Sequence, residues 1–326
     1  MPETLNRTIL DSIGNTVLVQ LHKVVPPGCA KIFAKLEWQN PTGSMKDRMA
    51  IAAISRAEAD GRLRPGDTVV EYTGGSTGTS LALVCAAKGY PIHLVSSKAF
   101  SQQKLDHMAA YGAQLTLVPQ EETPDGRGFT KKLFLDMIET ARELCAQPHT
   151  YWTDQLNNTD SIAGYASLGE EIWEQTNGQV DAFVQSVGTA ASLRGVAAVL
   201  KRYNPKVKII AVEPEESPVL SGRAPGAHDI EGIGIGYPPP LWDPTIVEEV
   251  LTVKTTEAKE MARQLARKEG VFAGTSSGGN VHAAIRIAQN LGPAATVVTL
   301  MIDSGLKYVS TDLYRNQSVE CGHLRP

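Results

Sequence analysis

The chain has 326 residues, 42% of them hydrophobic and 20% charged, with a formal net charge of -4. That composition suits a globular protein of one large or two modest domains. It lacks the clustered basic face of a nucleic-acid binder, and no apolar run of about 18 residues is present to span a membrane. The stretch from Met1 to Arg7 has no apolar signal core. The four cysteines, Cys29, Cys85, Cys145 and Cys321, form no CxxC pair. That argues against structural zinc and for a reducing, cytoplasmic setting. Cys85 and Cys145 lie in apolar helical patterns and read as core.

In chain order, residues 31–36 read as a strand, then 68–71, followed by a glycine-rich turn and an apolar helix over 79–88. Strands over 92–95 and 114–118 flank a helix near 102–111. Later strands cover 182–184, 208–212 and 296–300. Strands separated by helices of this length predict a parallel α/β fold, and their continuous apolar character predicts burial on both faces. Residues 121–128 read as a polar loop and 318–326 as a loose tail. Residues 215–240 are rich in glycine and proline without periodicity, and a loop of that length in a compact domain points to function.

Four segments carry chemistry. Lys46 lies in Asn40-Pro41-Thr42-Gly43-Ser44-Met45-Lys46-Asp47-Arg48. A lysine amine attacks carbonyls when its surroundings favour the neutral form; taken alone, it reads equally as a solvated surface charge. The second segment is Thr73-Gly74-Gly75-Ser76-Thr77, after a strand and before a helix. Such a turn offers backbone N–H groups to an anion such as a substrate carboxylate, although a plain strand-to-helix turn has the same pattern. The third, Gly188-Thr189-Ala190-Ala191-Ser192, sits in the same context and is a phosphate-cradle candidate. It is neither a Walker loop nor a GxGxxG fingerprint. The fourth is Ser304, just past a strand end, where ligands bind in open α/β sheets. An amine, two anion-binding turns and a strand-end hydroxyl together match pyridoxal 5'-phosphate.

These segments resemble the cysteine synthase and cystathionine β-synthase family of fold-type II pyridoxal-phosphate enzymes, from about Leu10 to Tyr314. Residues 40–48 are similar to the family's Schiff-base motif, 73–78 to its asparagine loop and 188–192 to its phosphate cup. Glu213-Pro214, Ser217-Pro218-Val219, Gly274-Thr275-Ser276-Ser277-Gly278 and Ser304-Gly305 with Tyr308 match further family landmarks. The resemblance implies a tryptophan synthase β-like α/β fold of two open twisted domains with the cofactor in the cleft. Residues 48–149 are expected to form the small substrate-gripping domain. Residues 1–47 and 150–317 are expected to form the large cofactor domain, in a homodimer.

It further implies Lys46 as Schiff-base lysine and base, and Thr73 to Thr77 as the substrate-carboxylate grip. Gly188 to Ser192 would bind the phosphate, and Ser304 the pyridine nitrogen. The activity implied is β-replacement on an O-acetylserine-like donor or cysteine by sulfide, a thiol or another nucleophile. The alternatives are β-elimination of cysteine to sulfide, ammonia and pyruvate, and a non-catalytic binder of the cofactor or an amino acid.

Three departures suggest a divergent member. Gly74 and Ser76 stand where the family commonly has serine and asparagine, so Ser76 would reach the cofactor ring oxygen through water. Ala190 and Ala191 replace glycines, on the expectation that the cup keeps φ negative there. Glu231, beside Gly232, replaces a neutral glutamine facing the site, where it would repel hydrosulfide. O-phosphoserine is expected to be a poorer donor, since no extra positive charge near Gly74 is evident in the sequence.

Overall fold

A computed structural model describes residues 7–119 and 131–315. The loop expected over 121–128, the tail over 318–326, Cys321 and Met1 to Asn6 lie outside the described residues. The first part of the chain forms β1 (Leu18–Leu21), β2 (Lys31–Leu36), α1 (Lys46–Ala59), β3 (Thr68–Tyr72), α2 (Ser76–Lys88), β4 (Ile92–Ser96), α3 (Gln102–Ala110) and β5 (Gln114–Leu117). Then come α4 (Lys131–Cys145), β6 (Thr150–Trp152), α5 (Asp160–Gly164), α6 (Ala166–Gln175), β7 (Ala182–Ser186), α7 (Ala191–Tyr203) and β8 (Lys208–Pro214). The last elements are β9 (Glu249–Val253), α8 (Thr255–Gln264), α9 (Thr275–Leu291) and β10 (Thr296–Met301).

These strands make two sheets, one in the order β1-β2-β10-β7-β8-β9 and one in the order β5-β4-β3-β6. All pairings are parallel except β1 with β2, an antiparallel edge. In the larger sheet β7 and β10 are buried at every residue, as central strands covered on both faces must be. Alternate residues serve the two sides. Val297 and Met301 pack with Ile32, Val281 and Ala284, whereas Val298 and Leu300 pack with Phe183, Val196 and Leu168. Each such aliphatic side chain contributes about 1.5–3 kcal/mol on burial. The smaller sheet packs Val69 and Leu94 against Ile54 and Leu81, and Val70 and Tyr72 against Phe134 and Met137. Its last strand, β6, pairs with β3. We therefore propose that the small domain reaches at least to Trp152, past the expected edge at 149.

Parallel strands deliver their carboxyl ends to one side, and those of β3, β7 and β10 carry the candidate segments. Asn280 of α9 ties two of them together. Its carbonyl accepts from the Ser186 N–H at 2.7 Å, and its amide donates to the Leu300 carbonyl at 2.9 Å. An ionic knot holds α1. Arg48 grips the buried Glu37 through Nε (2.7 Å) and Nη2 (2.9 Å), and Glu171 of α6 through Nη1 (2.7 Å) and Nη2 (2.8 Å). Lys35 of β2 completes the knot at 2.7 Å from Glu171.

Candidate active site

Lys46 opens α1 beside the chain that leaves β10. Ser44 bridges Asp303, the Met45 N–H donates to the Ile302 carbonyl (3.0 Å), and the Ser304 N–H donates to the Gly43 carbonyl (3.0 Å). The Lys46 Nζ has no hydrogen-bond or ion-pair partner among the described residues. Burial lowers its pKa below the ordinary lysine value, and the Asp303 carboxylate works against that shift. Its neighbour Asp47 is turned aside, accepting from the Thr42 N–H (2.8 Å) and hydroxyl (2.5 Å). Burial raises the Asp47 carboxyl, opposed by its bonds to Ser80 and Thr42.

At the end of β3, the Thr73 hydroxyl accepts from the N–H groups of Gly75 (2.9 Å) and Gly78 (3.0 Å), folding the turn back onto itself. Gly75 sits at φ +142°, a conformation side-chain-bearing residues rarely adopt. The Thr77 hydroxyl is committed to Gln155 at 2.7 Å. What the turn offers a ligand is therefore backbone: the N–H groups of Gly74, Ser76 and Thr77, at the start of α2, meet no acceptor among the described residues. The structure also accounts for Gly74. A Cβ there would stand 2.8 Å from the Phe100 ring, so the serine common in the family does not fit without a shift.

After β7, the N–H groups of Gly188, Thr189 and Ala190 meet no protein acceptor among the described residues. Gly188 has no room for a Cβ, because the Gly232 carbonyl lies against it. The Ser192 hydroxyl accepts from the Gln185 amide at 2.5 Å. One expectation fails here. Ala190 has φ +70°, in the left-handed region, so the cup does not keep φ negative. Alanine carries a local strain of about 1–2 kcal/mol at such a position. Ala190→Gly should shift unfolding stability by no more than about 1 kcal/mol, because relieved strain offsets the lost methyl and added chain freedom. Ala190→Val should cost about 2 kcal/mol or more, since a β-branched residue is a poor fit to that backbone and the site is buried. Denaturant unfolding of both variants checks this pair.

Ser304 is half-buried, and its hydroxyl accepts from the Leu306 N–H at 3.2 Å, capping a single helical turn. Glu231 is not a free carboxylate at the mouth. It forms an ion pair with Lys104 of α3, whose ammonium also lies 5.1 Å from the centre of the Tyr308 ring. Sequence reasoning missed Lys104 and Lys307. The Lys104 chain packs on Gly75, and the Lys307 Nζ reaches the Ser76 hydroxyl at 3.3 Å. Burial brings the Lys307 amine down to about 8, with Asp303 acting the other way. The expectation of no added positive charge near Gly74 is thus corrected by two ammonium groups. Lys307 lay inside a recognised segment and was open to notice; nothing in the sequence around Lys104 marks it.

A family model described as pyridoxal-phosphate dependent enzyme matches residues 9–303. The cysteine synthase of Staphylococcus aureus (strain Mu50) is 42% identical over 309 residues, covering 94% of this chain and 96% of that protein. The chain belongs to the cysteine synthase family of fold-type II pyridoxal-phosphate enzymes. A solved cysteine synthase from Entamoeba histolytica shares the family fold with a TM-score of 0.89 at 36% identity, covering 98% of this chain and 93% of that one. A hydrogen sulfide-producing enzyme from Fusobacterium nucleatum matches at a TM-score of 0.84 and 32% identity, covering 93% and 100%. As a member of this family the chain is an enzyme that depends on pyridoxal 5'-phosphate. The residues present suit that group. They include an amine and a buried Asp303 oxygen that have no partner among the described residues, and a turn of unsatisfied N–H groups in which Gly188 has no room for a Cβ.

Proposed function

We propose that this enzyme replaces the β-substituent of an O-acetylserine-like donor with sulfide, giving cysteine. The observation that carries the reading is the Lys46 amine, without a partner among the described residues, lowered in pKa and set beside the chain that leaves β10. Bound pyridoxal 5'-phosphate supplies an aldehyde for amines and a ring that draws electrons from the substrate's Cα. Lys46 anchors the cofactor, then takes the Cα proton and later returns it. Gly74, Ser76 and Thr77 hold the substrate carboxylate through N–H groups at the start of α2, with Thr73 and Gly75 shaping the turn. Gly188, Thr189, Ala190, Ala191 and Ser192 hold the phosphate. Glu231 and Gly232, on the loop after β8, meet α3 through the Glu231–Lys104 pair and cover the mouth of the site.

The relatives support replacement over net elimination: the Staphylococcus aureus cysteine synthase is more similar in sequence than the sulfide-producing enzyme. The purified enzyme should release cysteine from O-acetylserine and sulfide. A panel of O-acetylserine, O-phosphoserine, serine and cysteine, each with and without sulfide, tests the donor. Pyruvate from cysteine in excess of cysteine from O-acetylserine would overturn the reading. Lys307, at the Ser76 hydroxyl, makes O-phosphoserine a more acceptable donor than the sequence suggested. Because Lys104 already neutralises Glu231, Glu231→Gln should unmask a positive charge. The expected result is a rise of up to roughly fivefold in kcat/KM for sulfide, about 1 kcal/mol, that shrinks with added salt. We further propose a cytoplasmic homodimer, which sedimentation tests. No helix among the described residues is long and apolar enough to cross a membrane.

A further inference from the structure

Glu71 is the last residue but one of β3, just before the turn assigned to the substrate carboxylate, and it is fully buried. It forms no ion pair among the described residues. Neutral donors meet it instead: the Tyr72 N–H reaches Oε1 at 3.0 Å, while Oε2 accepts from the Thr153 hydroxyl at 2.6 Å and the Gln155 N–H at 3.0 Å. Thr153 and Gln155 converge on one oxygen because Asp154 between them takes φ +42°, a left-handed conformation that persists where its surroundings enforce it. The chain just past β6 thus bends around this carboxyl group. Burying a carboxyl without a counter-ion is costly, so Glu71 answers a need that an apolar residue in β3 does not. Gln155 carries the contact onward. Its side-chain N–H donates to the Tyr72 carbonyl at 2.8 Å, and its side-chain oxygen accepts the Thr77 hydroxyl at 2.7 Å. Both Gln155 and Thr77 are buried. Gln155 therefore pins the end of β3 to the first turn of α2, across residues 73–76.

We propose that Glu71 is a positioning residue for donor binding: it holds the Gln155 backbone, so that the Gln155 side chain keeps the free N–H groups at the start of α2 aimed at one carboxylate. The inference rests on the reading of that turn as a carboxylate grip and deepens it. Fully buried, Glu71 acts through Gln155 and not by touching the donor. Burial pushes its carboxyl up to about 8, the Asp154 carboxylate adds to the rise, and the bonds from Thr153, Gln155 and Tyr72 oppose it. The other titratable groups around it are the Tyr72 hydroxyl and the Cys145 thiol, both kept neutral by raised pKa values. What Thr153 and Gln155 need is an oxygen in the Oε2 place, which glutamine supplies and leucine does not. Lys46 shares no bond with this chain of contacts, so Glu71 governs the hold on the donor and not the proton transfer at Cα.

The test compares L-methionine, whose Cβ carries no leaving group, with its methyl ester, which has no carboxylate. Binding of each to the holoenzyme is read from the cofactor absorbance. The wild type is expected to favour the acid over the ester. In Glu71→Leu the acid should bind roughly ten- to a hundredfold more weakly, the loss of one or two hydrogen bonds to a charged group, with the ester unchanged. Glu71→Gln should restore the acid affinity to within about threefold of wild type, since the oxygen returns. KM for O-acetylserine should follow the acid affinity, with kcat changed by less than about threefold. Gln155→Met, which keeps Glu71, should lose the same preference, and adding Glu71→Leu to it should weaken binding no further. Acid and ester weakened alike in Glu71→Leu, or an acid affinity left intact, overturns the proposal. Where Glu71→Leu does not fold, Gln155→Met decides: a preference it retains breaks the relay and overturns the proposal. A wild-type holoenzyme that binds acid and ester alike overturns the carboxylate grip itself. One that discriminates just as Glu71→Leu does removes Glu71 and leaves the grip standing.

Discussion

Lys46→Ala is expected to lower turnover by at least about a thousandfold, because one side chain supplies both the cofactor anchor and the base at Cα. Another amine is close by. Lys307 is buried, with its pKa brought down to about 8, so near neutral pH an appreciable fraction is already unprotonated. It is nevertheless held at the Ser76 hydroxyl on the α2 side of the cleft, whereas Lys46 has no competing partner among the described residues. Pyridoxal 5'-phosphate should still bind Lys46→Ala through the cup after β7. Borohydride followed by peptide mapping should then find no fixed cofactor, not a label moved to Lys307. A variant with more than about a tenth of wild-type turnover, or a labelled Lys307 peptide, would contradict the assignment of Lys46.

Arg48→Met is expected to cost about 3–5 kcal/mol of folding stability, the range for removing one partner from a buried ion network. The guanidinium makes a two-pronged grip on each of two carboxylates, and removing it strands Glu37, whose side chain is 0% exposed. Lys35 still serves Glu171 but forms no ion pair with Glu37, which keeps only the Thr16 hydroxyl and the Asn40 amide as side-chain donors among the described residues. Arg48→Lys should recover only part of the loss, since one ammonium cannot bind both carboxylates as a fork. The same knot sets an acid response. Burial alone would raise the Glu171 carboxyl, but its bonds to Arg48 and Lys35 outweigh burial and bring it down to about 2. A carboxyl depressed on folding contributes its stability above the unfolded value near 4.5 and loses it as pH falls toward 2. Denaturation midpoints between pH 5 and pH 2 should therefore fall less steeply in Glu171→Gln than in the wild type. Parallel slopes would remove Glu171 from the acid response.

Much of this was legible in the residues. Residues 31–36 coincide with β2, and the apolar runs at 182–184, 208–212 and 296–300 fall inside β7, β8 and β10, because central parallel strands need apolar residues on both faces. Edge strands lack that signature. β1 is antiparallel, β6 has three residues, and β9 mixes Glu249 and Thr252 into its run. Helix α2 begins three residues before its expected start at Thr79, because Ser76, Thr77 and Gly78 read as a turn until Thr73 is seen folding that turn into the helix. In the site, Lys46 and the two N–H turns announced themselves by residue type and order. The positive φ of Ala190 and the Lys104–Glu231 pair did not, since both depend on how distant segments meet. Past Met301 the chain leaves the regular strand, so alternation along β10 does not fix where Asp303 points, and its carboxylate lies beside the Lys46 segment.

The most direct test of the central claim is a single assay of the purified holoenzyme with O-acetylserine, with and without sulfide, following cysteine and pyruvate together. Cysteine accumulating in step with loss of O-acetylserine, only when sulfide is present and not in Lys46→Ala, is the predicted result. No cysteine from a yellow, folded protein, or cysteine formed equally by Lys46→Ala, would contradict it.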